Sequence, residues 1–410
     1  DIRASFPIVE ALSQMDLGPS RIDVAELAFR FDEKGGDISA FLADELKSLV
    51  ESGNIPEVPQ DVVLYGFGRI GRLLARLLIE RSGYGNSMQL RAIVVRKGKG
   101  NDLQKRASLL RRDSVHGPFT GTIWVDEENN AIVANGTYIQ VIYSDAPENV
   151  DYTEFGINNA IVVDNTGIWR DQAGLERHLQ AKGVSKVLLT APGKGDMKNI
   201  VFGVNDHEIT ADDTILSAAS CTTNAITPVL KAVNDKYGII NGHVETVHSY
   251  TNDQNLIDNY HSAERRGRSA PLNMVITETG AAQAVAKALP AMEGKLTGNA
   301  IRVPTPNVSM AIMNLNLEKD TSKEDMVAFL RETAVHSPLS EQIDFTASTE
   351  LVSSDIVGSR HASVVDSQAT IANGKSCVLY LWYDNEFGYS CQVIRCVAKM
   401  TGNESPVLPA

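Results

Sequence analysis

The chain has 410 residues, 43% hydrophobic and 22% charged, which is enough for two or three domains with sizeable cores and ordinary for a soluble globular protein. A formal net charge of −13 argues against nucleic acid or an anionic membrane as the main partner, so any anion the protein handles must meet positive charge gathered locally. No apolar run reaches bilayer length, and the first residues lack the basic-then-apolar order of a secretory signal; position 1 is Asp rather than Met, so a longer precursor stays open.

Residues 1–60 read as a helical extension. "RIDVAELAFRF" and "DISAFLADELKSLVESG" are short amphipathic helices, the second with Phe41, Leu42, Leu46, Leu49 and Val50 on one side. Gly35–Gly36 separates them, and "GNIPEVPQ" reads as a proline linker. The extension shows no catalytic constellation and is expected to be a packing or oligomerisation appendage.

From Asp61 the pattern becomes strand then helix. "VVLY" is followed by Leu73, Leu74, Leu77 and Leu78 at helical spacing, and further apolar strands are "LRAIVV", "AIVVDNTG" and "KVLLTAP", with "DQAGLERHLQAKG" as an intervening helix. Continuous rather than alternating apolar strands predict a parallel sheet covered on both faces across 61–220. Beyond it, "GHVETVHSYTND", "TGNAIRVPTPNVSMAIMNLNLEK" and "KSCVLYLWYDN" alternate more and suit a second domain, 221–384. The expected fold class is therefore α/β: a Rossmann-type doubly wound parallel sheet, an α+β catalytic domain with a mixed or antiparallel sheet, and the helical extension.

"YGFGRIG" sets Gly66, Gly68 and Gly71 in GxGxxG spacing between a strand and a helix. The first glycine permits a tight turn, the second a close approach of a pyrophosphate, and the third close packing of helix on strand; the helix N-terminus offers free N–H groups. The four cysteines, Cys221, Cys377, Cys391 and Cys396, lack metal-ligand spacing. No metal is expected, and reduced thiols in a cytoplasmic protein are.

Cys221 is unusual in its neighbours: "SAASCTTNAITP" surrounds it with hydroxyls and an amide after an apolar strand. Such a setting suits a reactive thiol better than an inert buried one. A base for it stands later in "ETVHSYTNDQ" as His248, although a structural histidine is as good a reading from these two residues alone. Three segments look like anion sites: Thr279 and Gly280 before a helix, Arg302 amid apolar residues, and Thr251 with Asp253. Arg265, Arg266 and Arg268 read as a solvated basic loop.

Taken in order, GFGRIG, SCTTN, TVHSYTNDQ, TGAA, RVPT and WYDNEFGYS resemble the phosphorylating glyceraldehyde-3-phosphate dehydrogenases across residues 61–401. The resemblance implies that Cys221 is the nucleophile and His248 its base. It implies that Thr251, Asp253 and Arg302 surround the substrate's phosphate, and that Ser220, Thr222, Thr279 and Gly280 form the pocket for inorganic phosphate. Phe67, Arg69 and Ile70 fall in the dinucleotide loop, Thr166, Gly167 and Thr190 along the nicotinamide half, and Asn385, with Tyr389 close by, at the nicotinamide carboxamide. It further implies a C-terminal segment, 385–410, that returns as a helix to the nucleotide domain, a homotetramer, and the reversible conversion of glyceraldehyde 3-phosphate and inorganic phosphate to 1,3-bisphosphoglycerate.

Three departures stand out. Many relatives carry a second cysteine four residues after the nucleophile, where this chain has Ala225, so an internal active-site disulfide is not expected. The extension has no counterpart in the resemblance. Arg96, opening "RKGK" at the end of the second strand, stands where an acidic residue usually accepts bonds from the ribose 2′-OH, and Asn259–Tyr260 replaces a Leu-Pro pair. Both favour productive use of NADP beside NAD. The rival readings are an erythrose-4-phosphate dehydrogenase with the same thiol and base, and a binding or regulatory protein on the same fold.

Overall fold

The computed structural model describes residues 2–17, 20–47, 49, 59–82, 87–402 and 407–408. Its centre is an eight-stranded sheet in the order Ile123–Asp126, Ala131–Ala134, Thr137–Tyr143, Met88–Val95, Gln60–Tyr65, Ala160–Asp164, Val184–Leu189, Ile215–Ser217. The last six run parallel. The strand Gln60–Tyr65 shows why its sequence is continuously apolar: Val62 and Leu64 enter the core on one face, Val63 and Tyr65 the core on the other.

The parallel sheet expected across 61–220 is thus mixed, because the first three strands form an antiparallel meander. This edge needs only one buried face, and Trp124 and Tyr138 are exposed, so its pattern differs from that of the central strands.

One face is covered by the helices Arg69–Glu80 and Asp102–Arg111 and by the C-terminal helix Phe387–Thr401, whose Val393, Ile394 and Val397 share a core with Leu74, Leu77 and Leu103. The second sheet has seven strands: Val275–Thr277, Leu296–Val303, Ile239–Ser249, Ser309–Ser322, Ile371–Tyr383, Ser363–Asp366 and Ile343–Thr346. It is mixed, with two parallel pairings. In Ser309–Ser322, Ala311, Met313, Leu315 and Leu317 point into the core while Asn314, Asn316 and Glu318 are exposed, the alternation of a half-buried strand.

The helix Cys221–Tyr237 covers the buried face through Ile226, Val229, Leu230 and Val233. It rises ~25 Å along its length. The following strand, Ile239–Ser249, runs back over ~30 Å and so returns His248 to the start of the helix. This helix–strand hairpin is what builds the site.

The extension has its own small core of Ile8, Leu27, Phe41, Leu42 and Leu46. Helix Val24–Lys34 is capped by Asp23, Ile38–Glu45 by Asp37, and Gly35 ends the former with φ 65°. A further helix, Ile2–Leu12, precedes the two expected ones and buries Ile8 in this core. The extension touches the rest through Glu26 and His336, 3.6 Å apart, and through a two-residue parallel pairing of Arg21–Ile22 with Val407–Leu408. Val50 and most of the linker expected at 53–60 lie outside the described residues.

Candidate active site

Ala219 has φ 53°, a left-handed conformation uncommon for a residue with a side chain. It turns the chain sharply out of the strand Ile215–Ser217. Ser220 then caps the helix by accepting from the Thr223 N–H, and Cys221 becomes its first residue rather than the end of a strand. A thiol there meets unpaired backbone N–H groups and the positive end of the helix.

Cys221 Sγ lies 3.6 Å from His248 Nε2. On the other side of the ring, Nδ1 is 2.7 Å from the Ser249 carbonyl and 2.7 Å from Arg302 Nη1, which also donates to that carbonyl at 3.0 Å. The cysteine, histidine and arginine singled out in the sequence are therefore one cluster. Burial first, then the Arg302 charge, pushes the imidazole down to about 3, so it stays neutral at physiological pH and can accept a proton. Burial pushes the Cys221 thiol up, against the pull of Arg302 and of bonds from Thr222. The resting pair is thus a thiol facing a neutral imidazole.

Arg302 is largely enclosed, its Nε is buried without a partner, and among the described residues neither hydrogen-bond partner is a carboxylate. A buried guanidinium in that state suits an incoming anion. Beside it, Asp253 pairs with Arg266 Nη1, whose Nε and Nη2 donate to Thr277 Oγ1 at 3.1 and 2.9 Å. Arg266 is not a freely solvated loop residue: its side chain is 25% exposed. The carboxylate of Asp253 holds this arginine rather than facing an anion itself. No spacing rule marks Arg266; only the strand Val275–Thr277 packing beside it does.

The hydroxyls around Cys221 are tied into a buried network. Thr222 Oγ1 lies 3.0 Å from Tyr383 OH, and the Tyr383 ring stands edge-on to His248. Asn385 Oδ1 accepts from Ser249 Oγ at 2.8 Å and from Ser309 Oγ at 2.9 Å. Ser309 Oγ accepts the Ser249 backbone N–H, so its own proton is available for Asn385. With the amide oxygen taken twice, the Asn385 NH₂ is left to donate elsewhere. Tyr383 and Ser249 stand within WYDNEFGYS and TVHSYTNDQ, yet neither they nor Ser309 is among the expected site residues. Tyr389 OH donates to the Ala219 carbonyl and braces the turn before Cys221. Thr279 Oγ1 accepts from the Ala281 N–H at the start of helix Ala281–Ala288, whose N-cap is Gly280; Thr251 stays partly exposed in the loop after His248.

The glycine-rich turn opens onto a cavity of about 340 Å³ lined by Gly66, Phe67, Gly68, Arg96, Arg106, Ser144, Thr166 and Trp169, among others. Gly66 has φ 94°, and a Cβ at Gly71 would stand 2.5 Å from the Gly66 carbonyl, so both must be glycine. A Cβ at Gly68 would meet nothing within 4 Å, and no side chain caps the helix that starts there. Free N–H groups and an open approach fit the pyrophosphate of a dinucleotide. Thr190 bonds the Asp164 carbonyl and Asn165, and Asp164 fixes Thr166 while pairing with buried His178. The Arg69 side chain turns away from the cavity to Asp113 and Glu386, leaving its backbone and that of Ile70 in the first helical turn.

Comparison with known proteins agrees with this architecture. The NAD-binding domain of glyceraldehyde 3-phosphate dehydrogenase matches residues 60–172, and the C-terminal domain of that enzyme matches residues 220–385. A glyceraldehyde-3-phosphate dehydrogenase-like protein of Pseudomonas aeruginosa is 63% identical over the whole chain and 89% of its own length. The glyceraldehyde-3-phosphate dehydrogenase of Zymomonas mobilis is 41% identical over 83% of this chain and 98% of its own. A chloroplastic A form from Zea mays is 38% identical over 90% of each. The chain belongs to the glyceraldehyde-3-phosphate dehydrogenase family and is an oxidoreductase with a nicotinamide-dinucleotide domain. No described helix is long and apolar enough to cross a membrane.

Proposed function

We propose that the protein oxidises D-glyceraldehyde 3-phosphate, with inorganic phosphate, to 1,3-bisphosphoglycerate and runs this reaction reversibly. The observation that carries the reading is the alignment of Cys221 Sγ, His248 and Arg302. His248 Nε2 takes the thiol proton as sulfur adds to the aldehyde carbon and returns it to the former carbonyl oxygen, giving a hemithioacetal on Cys221 and a neutral imidazole. The same nitrogen then removes the hemithioacetal hydroxyl proton as the carbon is oxidised, leaving a thioester. The nicotinamide, when bound, accepts a hydride. Attack by inorganic phosphate on the thioester releases the acyl phosphate and returns the sulfur.

Arg302, with Thr251 and Asp253 nearby, receives the substrate's own phosphate, while Ser220, Thr222, Thr279 and Gly280 receive the attacking one. Asp253 acts through Arg266. Asn385 offers its NH₂ to the nicotinamide carboxamide. Gly66 to Gly71, Thr166, Gly167 and Thr190 hold the rest of the dinucleotide, with Arg96 favouring NADP beside NAD. The assembly proposed is a homotetramer, supported by Leu256, Ile257, Tyr260, Leu272 and Met274, which are exposed along one segment. Cytoplasmic placement rests on four free cysteines. Residues 1–60 stand apart from the catalytic machinery, with 61–220 and 221–384 as the nucleotide and catalytic domains.

Steady-state rates with glyceraldehyde 3-phosphate and erythrose 4-phosphate, with and without inorganic phosphate, test the assignment. It requires a clear preference for the three-carbon aldehyde and dependence on phosphate. A preference for erythrose 4-phosphate would overturn it.

A further inference from the structure

The dinucleotide cavity contains a second arginine that the strand-end rule does not reach. Helix Asp102–Arg111 follows the strand Met88–Val95, and its Arg106 turns back to line the same cavity as Arg96, Ser144 and Thr166. Arg106 Nε donates to Asp102 Oδ2 at 2.7 Å, one turn earlier, and Nη2 donates to the Arg96 carbonyl at 2.7 Å. The guanidinium is therefore fixed against the backbone of residue 96, with its side chain 18% exposed. These bonds leave the Nη1 end for a ligand.

A site selective for a ribose 2′-OH needs a carboxylate acceptor at this position. None of the residues lining the cavity is acidic. The Asp102 carboxylate, beside this wall, is engaged by Arg106, Tyr143 and the Gly98 N–H. A Cβ at Gly98 would stand 2.4 Å from Asp102 Oδ1, so glycine is what lets the loop pass this close. Asp102 orients Arg106 and offers no acceptor to the ribose. Lys97 lies over the Tyr143 ring and Lys105 bonds the Lys99 carbonyl. Of the cations from 96 to 106, Arg96 and Arg106 face the cavity.

We propose that Arg96 and Arg106 together form a two-guanidinium seat for a phosphate monoester on the adenosine 2′ position, which makes Arg106 a specificity-determining residue for the phosphorylated dinucleotide. The proposal rests on the reading above that this cavity takes a nicotinamide adenine dinucleotide. Two planar forks meet phosphate oxygens from two directions, and Arg106 is immobilised before the ligand arrives, so little freedom is lost on binding.

Calorimetric titration of the full chain with adenosine 2′,5′-bisphosphate and with adenosine 5′-monophosphate separates the possibilities. The parent should bind the bisphosphate about tenfold or more tightly than the monophosphate. Arg106→Ala and Arg96→Ala should each bring that ratio most of the way to one, and Arg106→Lys, which keeps the charge but not the fork, should restore part of it. An arginine that only braces the loop would weaken both ligands in proportion and leave the ratio where it was; that result overturns the proposal. If the parent does not discriminate between the ligands, the NADP reading of the cavity itself fails. If the parent discriminates and Arg96→Ala abolishes this while Arg106→Ala leaves it in place, that reading stands and the role of Arg106 falls.

Discussion

Arg302 Nη1 stands 2.7 Å from His248 Nδ1, on the far side of the ring from the Cys221 sulfur. Arginine can only donate, so this bond places the ring proton on Nε2, whereas an Nδ1 proton given to the Ser249 carbonyl leaves Nε2 as an acceptor facing sulfur. Drawing Arg302 towards a substrate phosphate favours the second tautomer, which is that of a base. In the proposed reaction, substrate binding and base activation are thereby linked through one guanidinium.

Arg302→Leu removes a cation that favours thiolate, so the Cys221 pKa should rise further and alkylation at pH 7 should slow, roughly tenfold for each unit of rise. The same change lifts the His248 pKa from about 3. Rates of alkylation by iodoacetamide between pH 5 and 10 report both directions. A profile identical to the parent's would break the proposed link.

Because His248 is held down to about 3 by burial, its folded pKa lies below the unfolded value of about 6.5. Between those values the unfolded chain binds more protons, so this residue's contribution to stability is present above pH 6.5 and is lost as pH falls towards 3. Denaturant titrations at pH 7 and pH 5 should show a smaller loss for His248→Asn than for the parent. Equal losses would place the acid sensitivity elsewhere.

Cys221→Ser should abolish the phosphorylating reaction while leaving fold and dinucleotide binding in place, because a serine hydroxyl supplies neither the nucleophile nor a thioester. His248→Asn should slow the chemical step by about 10²–10⁴-fold. Rapid-mixing assays with circular dichroism as the fold control check both. A substantial rate in Cys221→Ser would remove that residue from the mechanism.

Ser309→Ala frees one lone pair of Asn385 and lets its amide turn. The expected effect is a rise of about tenfold in the KM for the dinucleotide with a smaller change in kcat, since one hydrogen bond in a buried polar site is at stake. Ser309→Cys, close in size, should recover little, because a thiol donates weakly. A fall in kcat alone would argue that Ser309 supports the thiol side of the network.

Deleting residues 1–58 should leave catalysis largely intact and change assembly or thermal stability, since the extension packs on its own core. Analytical ultracentrifugation and activity on the same sample decide this. Loss of activity in a folded, normally assembled deletion variant would make the extension part of the site.

The glycine-rich turn was legible because the strand before it and the leucine spacing after it confirm one another. Cys221 was legible by its polar neighbours, but its place at a helix start depends on the positive φ of Ala219, which no composition rule exposes. The antiparallel edge strands have short, half-exposed patterns, and Arg266 looks like its solvated neighbours until Thr277 and Asp253 are placed beside it. Ser249 and Ser309 lie far apart in sequence and meet only through the pairing of their neighbouring strands. What sequence conveys poorly here is the polar network, because it joins residues with no periodicity of their own.

The central claim is that Cys221 carries the substrate carbon as a thioester that inorganic phosphate then releases. Mass spectrometry of the full chain, quenched after mixing with glyceraldehyde 3-phosphate and dinucleotide but no phosphate, tests it most directly. The account requires an acyl adduct on the peptide containing Cys221 that disappears when phosphate is added. Turnover with no adduct on Cys221, or an adduct that persists in the presence of phosphate, would contradict it.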